Sequence, residues 1–169
     1  MTEEITNNNS KGFSRRTVVK GAAWSVPVIA AAVATPLAAA STVDLGAFAL
    51  NGSCGTLGLL GPGFTLTAGP TEPLPVGTTI TISGGGIANI GVFSVTGGTA
   101  AVNVLSPTSR SIVLTAAVPA GATIAVRTTL SISVAFTLNA VSSLPTGYTA
   151  TGAKTAGNVN STLILCSAG

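Results

Sequence analysis

The run Leu130-Ser131-Ile132-Ser133-Val134-Ala135-Phe136-Thr137-Leu138 alternates large apolar residues with small ones. In a strand, successive side chains point to opposite faces, so this spacing places all the large residues on one side. A helix would scatter them around its circumference. The same period recurs in Gly63–Thr67 and Thr79–Ser83. Further β candidates are Leu45–Leu50, Ile90–Val95, Ala100–Leu105, Ser111–Thr115, Thr123–Arg127 and Thr162–Cys166. Their Val, Ile and Thr residues are β-branched and suit a pleated surface. Turn signals separate them, among them Gly61-Pro62-Gly63, Gly84-Gly85-Gly86, Gly97-Gly98 and Pro119-Ala120-Gly121. No segment of 41–169 carries an apolar stripe at helical spacing. The expectation is an all-β, immunoglobulin-like antiparallel β-sandwich of about nine short strands. The likeness is to the architecture alone, because 41–169 has no Trp to stand beside a central disulfide.

Charge divides the chain. Its 169 residues carry a formal charge of +3. Four of the seven basic residues, Lys11, Arg15, Arg16 and Lys20, precede an apolar stretch from Gly21 to Ala34. Pro36 and the small residues Ala38-Ala39-Ala40-Ser41 follow. A basic region, a short apolar region and an A-x-A site, in that order, describe a secretory signal peptide. The stretch is too short for a membrane span, which takes about 20 apolar residues, and Pro27 and Pro36 interrupt it and its flank. The expected organisation is a signal-peptide helix over 1–40 and a secreted β domain over 41–169. The expected cut follows Ala40, with Ala34 as second choice. Ser14-Arg15-Arg16-Thr17-Val18-Val19-Lys20 resembles the twin-arginine export signal. That resemblance implies twin-arginine export machinery and signal peptidase as partners, only transient membrane contact, and export of an already folded domain.

Residues 41–169 keep five charges: Asp44, Glu72, Arg110, Arg127 and Lys154. No basic cluster remains to contact phosphates, so nucleic acid is excluded as a partner. Both cysteines, Cys54 and Cys166, lie in this part. Two cysteines in an exported chain most simply pair. Closing so long a loop stabilises by about 4–5 kcal/mol in the chain-entropy picture. If the domain folds before export, the bridge is a clamp and not a prerequisite for folding.

The residues leave little for catalysis. The chain has no histidine, which removes Ser-His-Asp and Cys-His chemistry and the commonest metal ligand. Asp44 and Glu72 are the only carboxylates of 41–169, each beside a strand end or turn. Thr151-Gly152-Ala153-Lys154 has the spacing of a Ser-x-x-Lys motif, with Thr for Ser and no helix beneath it. Gly84-Gly85-Gly86 lacks the spacing of a phosphate loop and reads as a turn. Leu144-Pro145-Thr146-Gly147 is one residue short of a sortase signal and reads as a turn before Tyr148. Thr-x-Thr pairs at Thr65/Thr67, Thr79/Thr81 and Thr149/Thr151 are too irregular for an ordered water-binding array. Phe64 and Phe136 fall on apolar strand faces and read as core. No cofactor, metal or catalytic residue is expected.

The whole chain resembles small secreted proteins of high-GC Gram-positive bacteria. The export signal ending Ala-Thr-Pro-Leu-Ala-Ala-Ala-Ser and the Gly-Thr-rich body ending Leu-Cys-Ser-Ala-Gly carry that resemblance. It implies secretion and no activity. The resulting expectation is a non-enzymatic secreted or cell-surface β-sandwich with a structural or interaction role. Self-association or a cell-envelope partner would go with it, since uncharged strand edges pair readily. The alternative is a small-ligand or glycan-binding module built on Arg110, Arg127 and Tyr148.

Overall fold

The computed structural model describes residues 41–56, 60–163 and 165–169. The expected signal-peptide helix, with Arg15, Arg16, Lys20, Ala38 and Ala40, lies outside them. Ser41 opens the described unit, Ser41–Gly169, and is exposed.

Strands account for all the regular structure among the described residues. They are β1 (Val43–Asp44), β2 (Ala49–Ser53), β3 (Gly63–Thr67), β4 (Thr79–Gly85), β5 (Phe93–Thr96) and β6 (Ala100–Ser106). β7 (Ser109–Leu114), β8 (Thr123–Thr128), β9 (Phe136–Ser143), β10 (Tyr148–Thr149), β11 (Ala156–Thr162) and β12 (Leu165–Ala168) complete the order. One sheet runs β12-β11-β9-β4-β7-β6 and the other β2-β3-β8-β5, with every pairing antiparallel. β1 and β10 form a small parallel pair apart from both.

Period-two sequence produces the two sheets and the core together. In β9 burial alternates without a break, with Phe136, Leu138, Ala140 and Ser142 inward. Ile80 and Ile82 of β4 do the same beside Ile112 of β7. In the smaller sheet Phe64 and Leu66 of β3 lie opposite Val126 and Ile124 of β8. All these apolar residues belong to one cluster fed by both sheets. Each large side chain buried there stabilises the fold by about 1.5–3 kcal/mol. Phe48, Phe64, Phe93 and Phe136 all sit in it.

Four expected strands changed shape, each for a local reason. Ile90–Val95 becomes a strand only from Phe93, because Gly91 turns at φ +77° with its N–H donating to Asn89 Oδ1. Leu130–Leu138 is not one strand: 132–134 turn, and β9 begins only at Phe136. Ser131 turns the chain there, its Oγ accepting from the Ser133 N–H at 3.2 Å and its carbonyl accepting from the Val134 N–H. Leu45–Leu50 is broken by Gly46, whose φ of +68° no strand residue adopts. Its N–H donates to Asp44 Oδ1 at 2.9 Å, an Asx turn. Thr162–Cys166 spans a hairpin, with Thr162 paired to Leu165 and Leu163 at φ +64°. Gly84 and Gly85 lie inside β4 and only Gly86 turns. A Cβ on Gly84 would stand 2.2 Å from Ile90 Cγ2, so glycine there makes room for the core.

Candidate functional site

The expected disulfide is present: Cys54, just past β2, bonds to Cys166 in β12, with Cα atoms 5.8 Å apart. It lies on a seam where β2 of one sheet meets β11 and β12 of the other. The Gly52 N–H donates to the Gly169 carbonyl at 3.0 Å, and the Leu50 N–H to the Lys154 carbonyl at 2.8 Å. Such closeness requires Gly52, where a Cβ would fall 1.9 Å from the Asn158 carbonyl oxygen. Lys154 also donates from Nζ to Asn51 Oδ1 at 2.8 Å, across the same seam.

The residues tested for catalysis are occupied elsewhere. Asp44 Oδ1 accepts from the backbone of Gly46 and of Thr151, both at 2.9 Å. Its Oδ2 accepts from the Thr151 hydroxyl at 2.5 Å. These hydrogen bonds, the hydroxyl's foremost, hold the Asp44 carboxyl below the usual 3.8. Thr151 thus serves a carboxylate and Lys154 an amide, and the Thr151-x-x-Lys154 spacing forms no nucleophile–base pair. Glu72 is exposed on a bend. Among the described residues no group of three or more acidic or cysteine side chains could hold a metal ion.

Arg110, Arg127 and Tyr148, the candidate ligand set, do not line one site. Arg110 is a buried structural residue on the inward face of β7. Its guanidinium donates to the carbonyls of Ser106, Pro107, Ser109 and Gly91, and to Asn89 Oδ1. It thereby ties the 89–91 turn to the β6–β7 turn. Tyr148 is exposed in β10, and its hydroxyl makes no hydrogen bond among the described residues. Of the three, Arg127 alone lines a cleft, of about 390 Å³, whose described walls include Cys54, Thr56 and Leu60 on one side and the Thr128–Ile132 segment on the other. Its Nη1 is shut off from solvent with no hydrogen-bond partner among the described residues. A buried donor left unpaired costs about 1–3 kcal/mol, more when charged. No Phe, Tyr or Trp lines the cleft, so a stacking plate for a sugar ring is missing from its described walls.

A second feature is the edge of the larger sheet. β6 pairs with β7 on one side and with no described strand on the other. It carries no charge and no proline, the usual guards of an exposed edge. Ala100 and Val102 pack against the core, but Val104, two residues on, is 70% exposed, and Leu105 is 59% exposed. The register shifts between Val104 and Ser106, a bulge that turns Leu105 outward. Composition alone showed an uncharged β body; which edge stays open depends on strand order, which local sequence does not encode.

Compared with protein-family models, with curated proteins and with solved structures, the chain matches none. Among the described residues no helix is long and apolar enough to cross a membrane.

Proposed function

We propose that residues 41–169 form an exported, non-enzymatic, immunoglobulin-like β-sandwich that acts by associating with other β surfaces, first of all a second copy of itself. The open, uncharged β6 edge with Val104 and Leu105 exposed is the observation that carries this reading. Strand addition at such an edge gains main-chain hydrogen bonds, and neighbouring apolar side chains add specificity. β6 of one copy laid antiparallel on β6 of another would join the two larger sheets. The occupied Asp44, Thr151 and Lys154 support a structural, not a catalytic, use of the few polar side chains.

The strand order supports the immunoglobulin-like comparison. β2-β3-β8-β5 follows the A-B-E-D order of a constant-type domain, and β4-β9-β11 follows C-F-G. The β6–β7 hairpin is then an insertion between D and E that extends the second sheet beyond C. The disulfide departs from the antibody pattern, since it joins the end of β2 to β12 and not the B and F strands.

Export through the twin-arginine route, with signal peptidase cutting after Ala40, places the domain outside the cell or on its surface. The Cys54–Cys166 bond is compatible with that location. Fractionation into medium, wall and membrane, with N-terminal sequencing of the exported form, tests it: a chain starting at Ser41 is expected, and one starting at Met1 or Thr2 overturns it. Sedimentation of that form tests association. A dimer that Val104→Lys dissolves is expected. A monomer at every concentration, with no retention on isolated cell envelopes, overturns the interaction role.

A further inference from the structure

Asn51-Gly52 is the one Asn-Gly pair of residues 41–169. An asparagine amide is open to attack by the next backbone nitrogen, which closes a five-membered succinimide and expels ammonia. A side chain on the following residue hinders that approach, and glycine has none. The other asparagines of this part precede Ile90, Val104, Ala140, Val159 and Ser161. Gly52 is also the residue on which the seam depends, since a Cβ there would run into the Asn158 carbonyl. The same missing side chain thus closes the seam and leaves Asn51 open to its neighbour.

While the seam is closed, both reacting groups are held. The Gly52 N–H donates to the Gly169 carbonyl at 3.0 Å, and Asn51 Oδ1 accepts from Lys154 Nζ at 2.8 Å. Asn51 is paired with Thr65 of β3. Ring closure needs Asn51 to leave the extended ψ of about +135° that a strand imposes. Its neighbours Leu50 and Gly52 are fixed to Lys154 and Gly169 by their backbones, which blocks that rotation. Cys54, two residues past Gly52, fixes the same contact through Cys166.

We propose that Asn51 is a modification site latched by the disulfide seam, and that it deamidates when the seam opens. The open state exists before the cysteines pair, or after a dithiol gives the disulfide two electrons and two protons. The Gly52 nitrogen then loses its proton to hydroxide and bonds to Asn51 Cγ, and the Cγ–NH2 bond breaks to release ammonia. Water hydrolyses the ring, so the sum is asparagine plus water to an acid plus ammonia. Cleavage of the new Cγ–N bond gives aspartate, and cleavage of the original peptide bond gives isoaspartate. The two products act oppositely on the seam. Aspartate would turn the hydrogen bond from Lys154 Nζ into an ion pair. Isoaspartate would add a methylene to the β2 backbone and throw Gly52 and Ser53 out of register with β3, and Cys54 out of line with Cys166.

The experiment incubates the full chain at mildly alkaline pH and maps the peptide carrying Asn51 by mass spectrometry. Exchange of amide for carboxyl is read from its mass, and isoaspartate from its fragmentation. The bridged chain unfolded in urea sets the unprotected rate. In native buffer the bridged chain should react about a hundredfold more slowly or slower still, because reaction waits on opening. Cys54→Ser with Cys166→Ser should react about tenfold faster than the bridged chain, or more. Deletion of Gly169 keeps the bridge and removes the acceptor of the Gly52 N–H. It should speed the reaction about threefold or more, and it decides alone if the double variant does not fold. Equal rates in native buffer and urea, in the folded double variant and the bridged chain, or with and without Gly169 overturn the proposal. Loss of ammonia that leaves the Asn51 peptide joined to that of Lys154 would make the lysine the nucleophile and overturn it too.

Discussion

Two borders of this domain are made from much the same residues and end up in opposite states. Along β2 the two sheets are stitched by a disulfide, by backbone hydrogen bonds from Gly52 and Leu50, and by Lys154 reaching Asn51. Along β6 the larger sheet stops with an open, uncharged edge. Neither strand is distinguished by hydrophobicity. The difference lies in glycine and cysteine at the seam: Gly52 lets backbone meet backbone, and Cys54 fixes the contact. A β edge is closed by what can approach it, and approach is limited by the bulk of the side chains in between.

The strongest way to break the contrast is to cut the stitch. Replacing both Cys54 and Cys166 by Ser should lower the unfolding free energy by about 4–5 kcal/mol, read from urea transitions of the variant and the oxidised parent. The variant should keep the parent's β-sheet circular dichroism, since the core cluster is built from both sheets and the two cysteines are only partly buried against it. A loss under about 1 kcal/mol would show that the backbone contacts close the seam without it.

Next in size is Gly52→Ala. The added methyl would sit 1.9 Å from the Asn158 carbonyl oxygen, a main-chain atom that cannot swing aside. A cost of about 1–3 kcal/mol is expected, as for other overpacked sites. Gly121→Ala is the control. It has nothing within 4 Å of its Cβ, and its strain comes only from a φ of +70°. If the two variants are equally destabilised, close approach is not what glycine provides at the seam.

How much of this was legible before the structure depends on where the apolar residues fall. β3 matched its sequence pattern from end to end, and β4, β6, β7 and β8 came within two residues, because short apolar runs bounded by turn residues mark strands locally. β11 escaped. In Ala-Gly-Asn-Val-Asn-Ser-Thr only Val159 is a large apolar residue, and its other clearly inward residue is Ser161. Ser161 is buried by donating to the Ile132 carbonyl at 2.9 Å, a long-range partner that no local pattern encodes. The hairpin at Leu163 escaped too, for a residue with φ +64° there lacks the usual Asn-Gly signature. The pairing of Cys54 with Cys166 was readable from the count of two cysteines in a chain expected to be exported. The cleft was not, because the residues that line it beside Arg127, such as Thr56, Leu60 and Leu130, are brought together only by the fold.

At the open border the expected stability effects are small and the expected association effects large. Val104→Lys places a charge on an exposed edge position, which should change unfolding free energy by no more than about 0.5 kcal/mol. The same change should abolish pairing between copies, since an edge lysine must be desolvated when a strand is added. A destabilisation of several kcal/mol would instead mean that Val104 is covered by part of its own chain. That outcome would erase the contrast between the borders.

The smallest effect belongs to a joint outside both borders. β1 and β10 share only two residue pairs, and Asp44 clasps them by accepting from Thr151 and Gly46. Those hydrogen bonds favour the ionised form, so the Asp44 pKa lies below its usual 3.8 in the folded chain. The sign follows from proton binding. The unfolded chain takes up a proton at higher pH than the folded one, so the clasp contributes fully above the usual value. Its contribution disappears as pH falls through the folded value. A carboxyl carbon titration should place the Asp44 midpoint below 3.8. The Val43 and Tyr148 amides should move with it, while those of Leu50 and Gly52 at the stitched seam stay still. Asp44→Asn should remove the pH response of both amides. A midpoint at or above the usual value would mean that Thr151 does not hold the carboxylate in solution, leaving β1 joined to β10 by its backbone hydrogen bonds without the side-chain clasp.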